Sequence, residues 1–401
     1  MCMSDVIDHS RSRLRSVIWL LGVTSCGART ALPGGDAGGA PPSCLPDRSR
    51  CTVGSDCCSQ QCAAGACADS PCHPGEPPTV LLTLDASTSF SGAPGMAPTA
   101  TSLVIATSAG VGPTATLLAI PKLGGSPSVV SSMPGTTYLS IAEADGEVFF
   151  TTFGDQGPYG DVCQVPLAGG PVQILAAHQF RPNGVAADAT NVYWTVANTS
   201  GPPSSEDGKV MRIARTGGTP EELASGQWGP FAIAVDATNV YFTNTASDSS
   251  ETDGNISSVP ILGGSVSQLV SNVGDSFAIA ADSANVYFTD EGDGNSIDGG
   301  SLDSVPIGGG SPEILSSGFG GYGYSQTGAV ALDATHVYFV ATSFFDTPPG
   351  YELFVRSKIA NDTRPFQATH QINSAVSVAT DPTCVYWRSA TQVWKAPLTL
   401  P

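Results

Sequence analysis

The sequence predicts an all-β fold, a seven-bladed β-propeller, and three observations support this prediction. First, 46 glycines and 31 prolines among 401 residues interrupt helices and favour turns. Second, the phrase GVAADATNVYWT at 184–195 recurs along the chain, with its aspartate repeated every 46 to 51 residues. Third, a phrase of the type VPLAGG recurs with the same spacing, at 120–125, 165–170, 213–218, 259–264 and 305–310. Units of this length containing four strands are typical of propeller blades.

Each repeat reads as four short strands. The first is small and apolar, the second is aromatic, the third ends near a Gly-Gly pair, and the fourth is more polar. Small residues fit strands that crowd a central channel, whereas aromatic residues fill the wider space between blades. With weaker copies around 103–105 and 141–152, seven units occupy the chain from residue 79 onward. We expect the repeated turn aspartates to accept hydrogen bonds from their own turn amides. They are Asp188, Asp236, Asp282 and Asp333.

The end of the chain predicts how the ring closes. The last unit stops after QVWKAPL at 392–398 and lacks a fourth strand, while PTVLLTLD at 78–85 precedes the first repeat. We expect this early segment to complete the last blade, which removes two exposed strand edges. The first unit has a poor inner strand, STSFSGAPGMAPTAT at 87–101, so a six-bladed ring is an alternative.

The repeat phrases also resemble a known family. NVYWT and NVYFTD, preceded by AIAVD and followed by VPLxGG, are similar to the YWTD repeats of low-density-lipoprotein-receptor-type propellers, from about Leu139 onward. The resemblance implies a propeller with an extracellular binding role. Only residues 287–290 keep the final aspartate of the motif, and receptor propellers of this type have six blades. No ligand is therefore carried over from the family.

The first 43 residues predict export. Three arginines between residues 11 and 15 precede a short apolar run, which is typical of a signal peptide and too short to span a bilayer. The order Val-Thr-Ser-Cys at 23–26 resembles the bacterial lipobox, which implies a signal peptide at 1–25 and a lipid on Cys26. Residues 26–43 are rich in Gly, Ala and Pro and predict a flexible tether. The expected location is the bacterial cell envelope, lipid-anchored, with secretion as the alternative.

A cysteine-rich module is expected at 44–72. Seven of the 11 cysteines fall in this segment, a density that predicts disulfides in an exported chain. Their spacing, with an adjacent pair at 57–58, resembles the inhibitor cystine knot of knottins. That resemblance implies pairing of first with fourth, second with fifth and third with sixth. The implied pairs are Cys44–Cys58, Cys51–Cys62 and Cys57–Cys67. A differently paired module and a zinc site are the alternatives.

One cysteine of this module remains after the knot is paired. Cys72 lies just before the closing strand, and Cys384 lies in the DPTC turn of the last blade, on the same face of the ring. The chain between Cys72 and the closing strand is long enough to span the distance between these strands. We expect a Cys72–Cys384 disulfide and a free thiol at Cys163. The alternative is that Cys72 and Cys384 are both unpaired.

Net charge excludes one class of partner. The chain carries 16 Lys and Arg against 35 Asp and Glu, a net charge of −19, which repels nucleic-acid phosphates and anionic membranes. We therefore expect no nucleic-acid partner and contact with a membrane only through the N-terminal lipid. The propeller is expected to be a monomer. The acidity either keeps a Gly- and Ser-rich surface soluble or favours a cationic partner or a divalent metal.

The topology predicts two unlike faces of the ring. The short turns between strands one and two and between strands three and four form a short-turn face. The loops between strands two and three, with those between blades, form a long-loop face. We expect this second face to bind a protein or glycan through aromatic and amide side chains. The candidates are Asn183, Trp228, Phe231, Phe277, Tyr322 and Tyr324.

A calcium site is a weaker expectation. The loop DEGDGNSID contains Asp290, Glu291, Asp293 and Asp298, and Ca²⁺ binds 6 to 8 oxygen ligands. The loop departs from the EF-hand order, and the alternative is a solvated hairpin. No cofactor beyond Ca²⁺ is expected.

A catalytic function is the alternative to binding. The phrase RPNGVA at 181–186 is similar to the metal-binding Asn region of lactonase-like propellers, which implies Asn183 as a ligand. The corresponding positions of later blades lack carboxylates, since they are Phe231, Phe277, Thr327 and Asn373. The sequence contains neither G-x-S-x-G nor H-E-x-x-H. A non-catalytic binding module is therefore favoured over a metal-dependent hydrolase at the channel mouth.

Overall fold

A computed structural model describes the strands of the ring and part of the segment before it. The described residues are 62–63, 66–67, 70–84, 88–90, 95–109, 114–154, 157–197, 207–245, 253–292, 299–319, 329–343, 350–360, 362–366, 377–389 and 391–398. Among them there is no helix, and thus no helix long and apolar enough to cross a membrane. The expected signal peptide at 1–25, the lipidation site Cys26, the tether at 26–43 and four knot cysteines lie outside the described residues. Those cysteines are Cys44, Cys51, Cys57 and Cys58.

Three strands precede blade 1, and blades 1 to 3 form the first half of the ring. A short hairpin of β1 (Cys62–Ala63) and β2 (Ala66–Cys67) places Cys62 opposite Cys67, and β3 (Thr79–Thr83) follows. Blade 1 contains β4 (Thr88–Phe90), β5 (Met96–Pro98), β6 (Ser102–Ala109), β7 (Thr114–Pro121) and β8 (Ser128–Pro134). Blade 2 contains β9 (Thr136–Ala144), β10 (Glu147–Gly154), β11 (Tyr159–Pro166) and β12 (Gln173–Phe180). Blade 3 contains β13 (Pro182–Ala187), β14 (Asn191–Val196), β15 (Gly208–Ala214) and β16 (Glu221–Gln227).

The second half of the ring repeats the same antiparallel order. Blade 4 contains β17 (Pro230–Val235), β18 (Asn239–Asn244), β19 (Gly254–Pro260) and β20 (Ser267–Val273). Blade 5 contains β21 (Ile279–Ala281), β22 (Asn285–Asp290), β23 (Gly300–Pro306) and β24 (Glu313–Phe319). Blade 6 contains β25 (Val330–Leu332), β26 (His336–Ser343), β27 (Gly350–Ser357) and β28 (Arg364–Pro365). Blade 7 contains β29 (Ser377–Thr380), β30 (Cys384–Arg388) and β31 (Gln392–Pro397), with β3 as its fourth strand. The predicted seven-bladed propeller is confirmed.

The predicted ring closure is also confirmed. Strand β3 pairs antiparallel with β31, with Thr79 opposite Lys395 and Thr83 opposite Gln392. The expected disulfide is present, because Cys72 and Cys384 are bonded and their Cα atoms lie 5.7 Å apart. Cys163 is a free thiol, as expected, and is fully buried on β11.

Blade 1 differs from the others in its inner strand, which consists of two pieces. Strand β4 pairs with one end of β6, where Phe90 lies opposite Thr107, and β5 pairs with the other end, where Met96 lies opposite Ile105. Glycine and proline at 92–95 disfavour one continuous strand, since proline cannot donate to the ladder. The two pieces still give blade 1 an inner edge, so the six-bladed alternative is wrong.

Aromatic residues of the second strands form the core between blades. The largest fully buried side chains include Tyr193, Trp194, Tyr241, Phe288 and Trp387. Between blades 4 and 5, for example, Tyr241 and Phe288 belong to one apolar cluster. Each such side chain removes a large apolar area from water, which stabilises the contact of neighbouring blades.

The repeated turn aspartates have the predicted role and one further partner. In blade 4, Asp236 Oδ1 accepts hydrogen bonds from the amides of Thr238 and Asn239, while Tyr241 donates its hydroxyl to Oδ2 at 2.8 Å. Burial alone raises the pKa of Asp236, but these bonds outweigh it and hold the pKa below its usual value. The same contact from the tyrosine five residues later occurs in the other four repeats. The pairs are Asp188–Tyr193, Asp282–Tyr287, Asp333–Tyr338 and Asp381–Tyr386.

Basic residues in three short turns connect neighbouring blades. Lys122 Nζ lies 2.6 Å from Asp381 Oδ2, Arg215 lies 2.7 Å from Asp145 Oδ2, and Lys358 Nζ lies 2.7 Å from Asp282 Oδ2. Each cation lies just after the third strand of its blade and reaches a strand-one-to-two turn of the preceding blade. These ion pairs therefore link blades on the short-turn face.

Candidate functional site on the long-loop face

The central channel contains a cavity of about 650 Å³. The first residues of the inner strands line it, so it lies at the end of the channel next to the long-loop face. All seven blades contribute to this channel cavity. Its side chains are mainly apolar and include Met96, Leu139, Ile141, Phe231, Ile233, Phe277, Ile279, Val330 and Val378.

Three of the predicted binding residues meet in the channel cavity. Phe231 and Phe277 are half-buried and form an edge-to-face pair, with ring centroids 5.0 Å apart. Asn183 occupies the corresponding position of blade 3, and its Nδ2 donates to the Pro230 carbonyl at 3.4 Å. The second polar side chain, Ser140, accepts a hydrogen bond from the Val185 amide at 3.2 Å. Among the described residues, no titratable side chain lines this cavity.

Trp228 lies elsewhere on the face, in a separate polar cavity of about 410 Å³. Asn244 Nδ2 donates there to Gln227 Oε1 and to Asn255 Oδ1, each at 3.0 Å. The Trp228 Nε1 and Asn244 Oδ1 atoms are buried and have no hydrogen-bond partner among the described residues. The structure thus separates Trp228 from the channel residues, and the predicted residues Tyr322 and Tyr324 lie outside the described residues.

The predicted acidic loop begins with an aspartate that already holds backbone amides. Asp290 Oδ1 accepts hydrogen bonds from Gly274 at 3.0 Å and from Gly292 at 2.7 Å, and burial raises the pKa of Asp290. Glu291 follows at the edge of the described loop, while Asp293 and Asp298 lie outside it. No group of three metal-ligating side chains forms among the described residues. The calcium site stays a prediction.

The sequence reasoning missed a buried carboxyl group close to Asp290. Asp303 on β23 is 7% exposed, and within the described part of the chain its Oδ1 has no hydrogen-bond partner. Burial raises the pKa of Asp303 to about 7, with a smaller contribution from the charge of Asp290. The corresponding positions of blades 2 and 3 are Cys163 and Met211. The sequence signal for this buried carboxyl group is therefore an acidic residue at a third-strand position where blades 2 and 3 have Cys163 and Met211.

Blade 2 also carries an exposed aromatic group at its outer edge. The rings of Tyr159 and His178 stack with centroids 3.9 Å apart and an interplanar angle of 8°. Phe180 contacts Tyr159 edge to face at 5.5 Å, and the Arg181 guanidinium lies 5.8 Å from the Phe180 ring. We call these four residues the blade 2 platform. It lies where β11 begins and β12 ends, which is on the long-loop face.

Comparison with known proteins supports the fold. No protein-family model and no curated protein matches the sequence. Among solved structures, an oligogalacturonate lyase in complex with manganese is 12% identical over 81% of this chain and 97% of that chain, with a TM-score of 0.56. Virginiamycin B lyase from Staphylococcus aureus is 13% identical over 80% of this chain and 99% of that chain, with a TM-score of 0.55.

A third similarity is to a chain in the crystal structure of a nidogen/laminin complex. It is 15% identical over 71% of this chain and 94% of that chain, with a TM-score of 0.45. At identities this low, the lyase similarities show the propeller fold alone, and propellers serve both binding and catalysis.

Proposed function

We propose that this chain is an exported or lipid-anchored cell-surface protein whose propeller is a non-catalytic binding module. Its long-loop face binds a protein or glycan ligand. The observation that carries this proposal is the channel cavity, about 650 Å³ in volume and lined mainly by apolar side chains. Pockets of this volume and composition accommodate an aliphatic or aromatic group of a ligand, while a few polar groups orient it. Asn183 and Ser140 are suited to that second role.

A defined hydrophobic probe tests the cavity. We expect N-phenyl-1-naphthylamine to bind saturably to the full chain, with a fluorescence increase. Phe231→Ala and Phe277→Ala should each weaken this binding at least fivefold, because the two rings form one wall of the cavity. Leu262 is 84% exposed in a short turn, so Leu262→Ala is the matched control and should bind as the wild type does. Equal binding by all variants would contradict a ligand in the channel.

A turnover assay tests the catalytic alternative, a metal-dependent hydrolase with Asn183 as a ligand at the same mouth. Lactones and esters are offered to the chain with Ca²⁺, Mn²⁺ or Zn²⁺. We expect no turnover above the rate of the heat-denatured protein. Turnover that Asn183→Ala abolishes and Leu262→Ala preserves would overturn the non-catalytic function.

The location and the calcium site have their own tests. Cys26→Ser should release the protein from the membrane fraction, and equal retention of the variant would contradict a lipid on Cys26. If the loop from Asp290 to Asp298 holds Ca²⁺, adding 1 mM Ca²⁺, about the concentration that extracellular sites require, should raise the Tm. Asp293→Asn with Asp298→Asn should abolish that increase.

A further inference from the structure

We infer that the blade 2 platform is a second binding site on the long-loop face and that its ligand is an acidic sugar. This inference rests on the proposed binding function of that face and names the chemistry of one ligand. Its evidence is a comparison among the repeats of the same chain. At the positions of Tyr159, His178 and Arg181, blades 3 to 5 have the smaller residues Gly, Asn or Asp.

The first departure is in the fourth strand of each blade. In blades 2 to 5 a β-bulge occurs there, and one bulge residue takes a left-handed backbone conformation. That residue is Gly226 with φ 66° in blade 3, Asn272 with φ 60° in blade 4 and Gly318 with φ 89° in blade 5. Glycine and asparagine tolerate this conformation best. Blade 2 instead has His178, with φ 56°.

The second departure lies three residues further along. Arg181 has φ 41°, whereas blade 3 has Gly229 with φ 53° at the corresponding position. Two side chains of blade 2 are therefore held on backbone that disfavours side chains. Unfavourable backbone conformations of this kind concentrate at binding and catalytic sites, where the side chain itself is needed.

The third departure is Tyr159, which precedes the glycine that the third strands of blades 2 to 5 share. Blades 3 and 4 have Asp207 and Asp253 there, and blade 5 has Gly299. Tyr159 is 44% exposed, whereas the repeated aromatic pairs of the second strands, such as Tyr193 and Trp194, are buried between blades. All three departures meet at one place, because the Tyr159 ring stacks on His178 and contacts Phe180, over which Arg181 lies.

These contacts indicate the class of ligand. The face of an aromatic ring carries negative charge density, which attracts the C–H groups on the flat side of a sugar ring. A guanidinium can bind a carboxylate with two parallel hydrogen bonds, and the ion pairs among the described residues do not include Arg181. Exposed rings beside an available cation therefore favour a sugar that carries a carboxylate. The net charge of −19 disfavours long polyanions, so a short oligosaccharide is the appropriate probe.

The test measures binding of a hyaluronan tetrasaccharide to the full chain by calorimetry, with chitotetraose as the neutral match. We expect saturable binding of the acidic sugar and at least tenfold weaker binding of the neutral one. Three variants introduce the residue that blade 3 has at each position: Tyr159→Asp, His178→Gly and Arg181→Gly. Each should weaken binding of the acidic sugar at least tenfold, and Leu262→Ala should leave it unchanged.

Thermal unfolding of the same variants separates a binding role from a structural one. His178→Gly and Arg181→Gly relieve left-handed backbone at a residue other than glycine, so their Tm should equal or exceed that of the wild type. A lower Tm with unchanged sugar affinity would overturn the inference and assign the stack to stability. Absence of acidic-sugar binding by the wild type would also overturn it.

Two further outcomes are distinguishable. If a hexaglutamate peptide binds through Arg181 as tightly as the tetrasaccharide, the ligand class is wrong. If Phe231→Ala leaves naphthylamine binding unchanged while Tyr159→Asp abolishes sugar binding, the channel proposal fails and the platform stands. If the platform variants lose both naphthylamine binding and sugar binding while the channel variants lose neither, the existence of two separate sites is contradicted.

Discussion

Lys122 and Asp381 form an ion pair of 2.6 Å across 259 positions of sequence, and this contact joins blade 1 to blade 7. The lysine side chain is 4% exposed and that of the aspartate is 11% exposed. Lys122 Nζ also donates to the Thr99 carbonyl. Burial alone raises the pKa of Asp381, but Lys122, Tyr386 and the Thr383 amide lower it below its usual value. The ring closure therefore includes a buried charge pair as well as β3.

Removing this lysine should destabilise the ring. Lys122→Met leaves the carboxylate of Asp381 buried without its cation, which costs about 3 to 5 kcal/mol of unfolding free energy. Lys209→Met is the matched control, since its ion pair with Glu222 is 37% and 39% exposed and contributes less than about 1 kcal/mol. Chemical denaturation measures both changes. Equal effects of the two substitutions would contradict a special role for the buried pair.

Asp303 should make the fold less stable as pH rises. Its pKa is raised to about 7 by burial, whereas an unfolded aspartate titrates near 4, so the folded form binds the proton more tightly. This contribution to stability is present below about pH 4 and is lost as pH rises to about 7. We expect Asp303→Asn to have a higher Tm than the wild type at pH 8 and a smaller difference at pH 4. A Tm difference that does not change with pH would contradict this pKa.

Substitutions at the two partners of an aspartate–tyrosine contact should lower the free energy of unfolding by different amounts. Tyr241→Phe removes one hydrogen bond to Asp236 and should cost about 1 kcal/mol of unfolding free energy. Asp236→Ala also leaves the Thr238 and Asn239 amides without their acceptor and should cost about 2 to 4 kcal/mol. Because the pKa of Asp236 is lowered, its contribution is present above about pH 4 and is lost as pH falls further. Urea titrations of both variants at pH 7 and pH 3 check the order and the pH dependence.

The cysteines should react in two different ways. Replacing both Cys72 and Cys384 by alanine removes the disulfide and should cost about 2 to 5 kcal/mol of unfolding free energy. Burial raises the pKa of Cys163 to about 12, so iodoacetamide should label this thiol only after unfolding. Chemical denaturation measures the loss of unfolding free energy. Peptide mapping without reductant locates the disulfide and the iodoacetamide label. Recovery of Cys384 as a free thiol would contradict the disulfide.

Gly160, the second residue of β11, should not tolerate a side chain. A Cβ on Gly160 would lie 1.7 Å from the Thr152 carbonyl oxygen, so Gly160→Ala should lower the Tm strongly or prevent folding of blade 2. A Cβ on Gly308 would meet no atom within 4 Å, and Gly308→Ala is the control. The Tm values of the two variants should therefore differ by more than 5 °C, which corresponds to about 3 kcal/mol for a domain of this size.

Periodicity made the architecture predictable, whereas contacts between blades were not predictable from one repeat. The spacing of Asp188 to Asp381 and the missing last strand indicated seven blades and their closure. Lys122 could not be assigned, because its partner is set by the neighbouring blade. Phe231 and Phe277 could be assigned to the long-loop face by alignment of repeats. Trp228 could not be separated from them, because that depends on which way its ring turns after β16.

Asp303 and His178 were missed for a related reason. The buried carboxyl group of Asp303 and the left-handed backbone conformation of His178 are exceptions to the repeat. The features that the repeats share therefore do not predict them. Comparison of the fourth strands β12, β16, β20 and β24 position by position reveals His178, and the same comparison at the start of the third strands β11, β15, β19 and β23 reveals Tyr159. The described site is therefore recognisable mainly from where one blade departs from the others.

The disulfide of Cys72 also determines how the ring responds to mechanical load. A pull applied to the segment before residue 72 would, without this bond, peel β3 from β31 one hydrogen-bonded pair at a time. With Cys72 bonded to Cys384, the force bypasses β3 and enters at the start of β30, an interior strand of blade 7. Opening the ring under this load then requires cleavage of the disulfide or removal of β30, which is hydrogen-bonded to β29 on one side and β31 on the other. In oxidising surroundings, the closing strand is thus shielded from tension on the N-terminal segment.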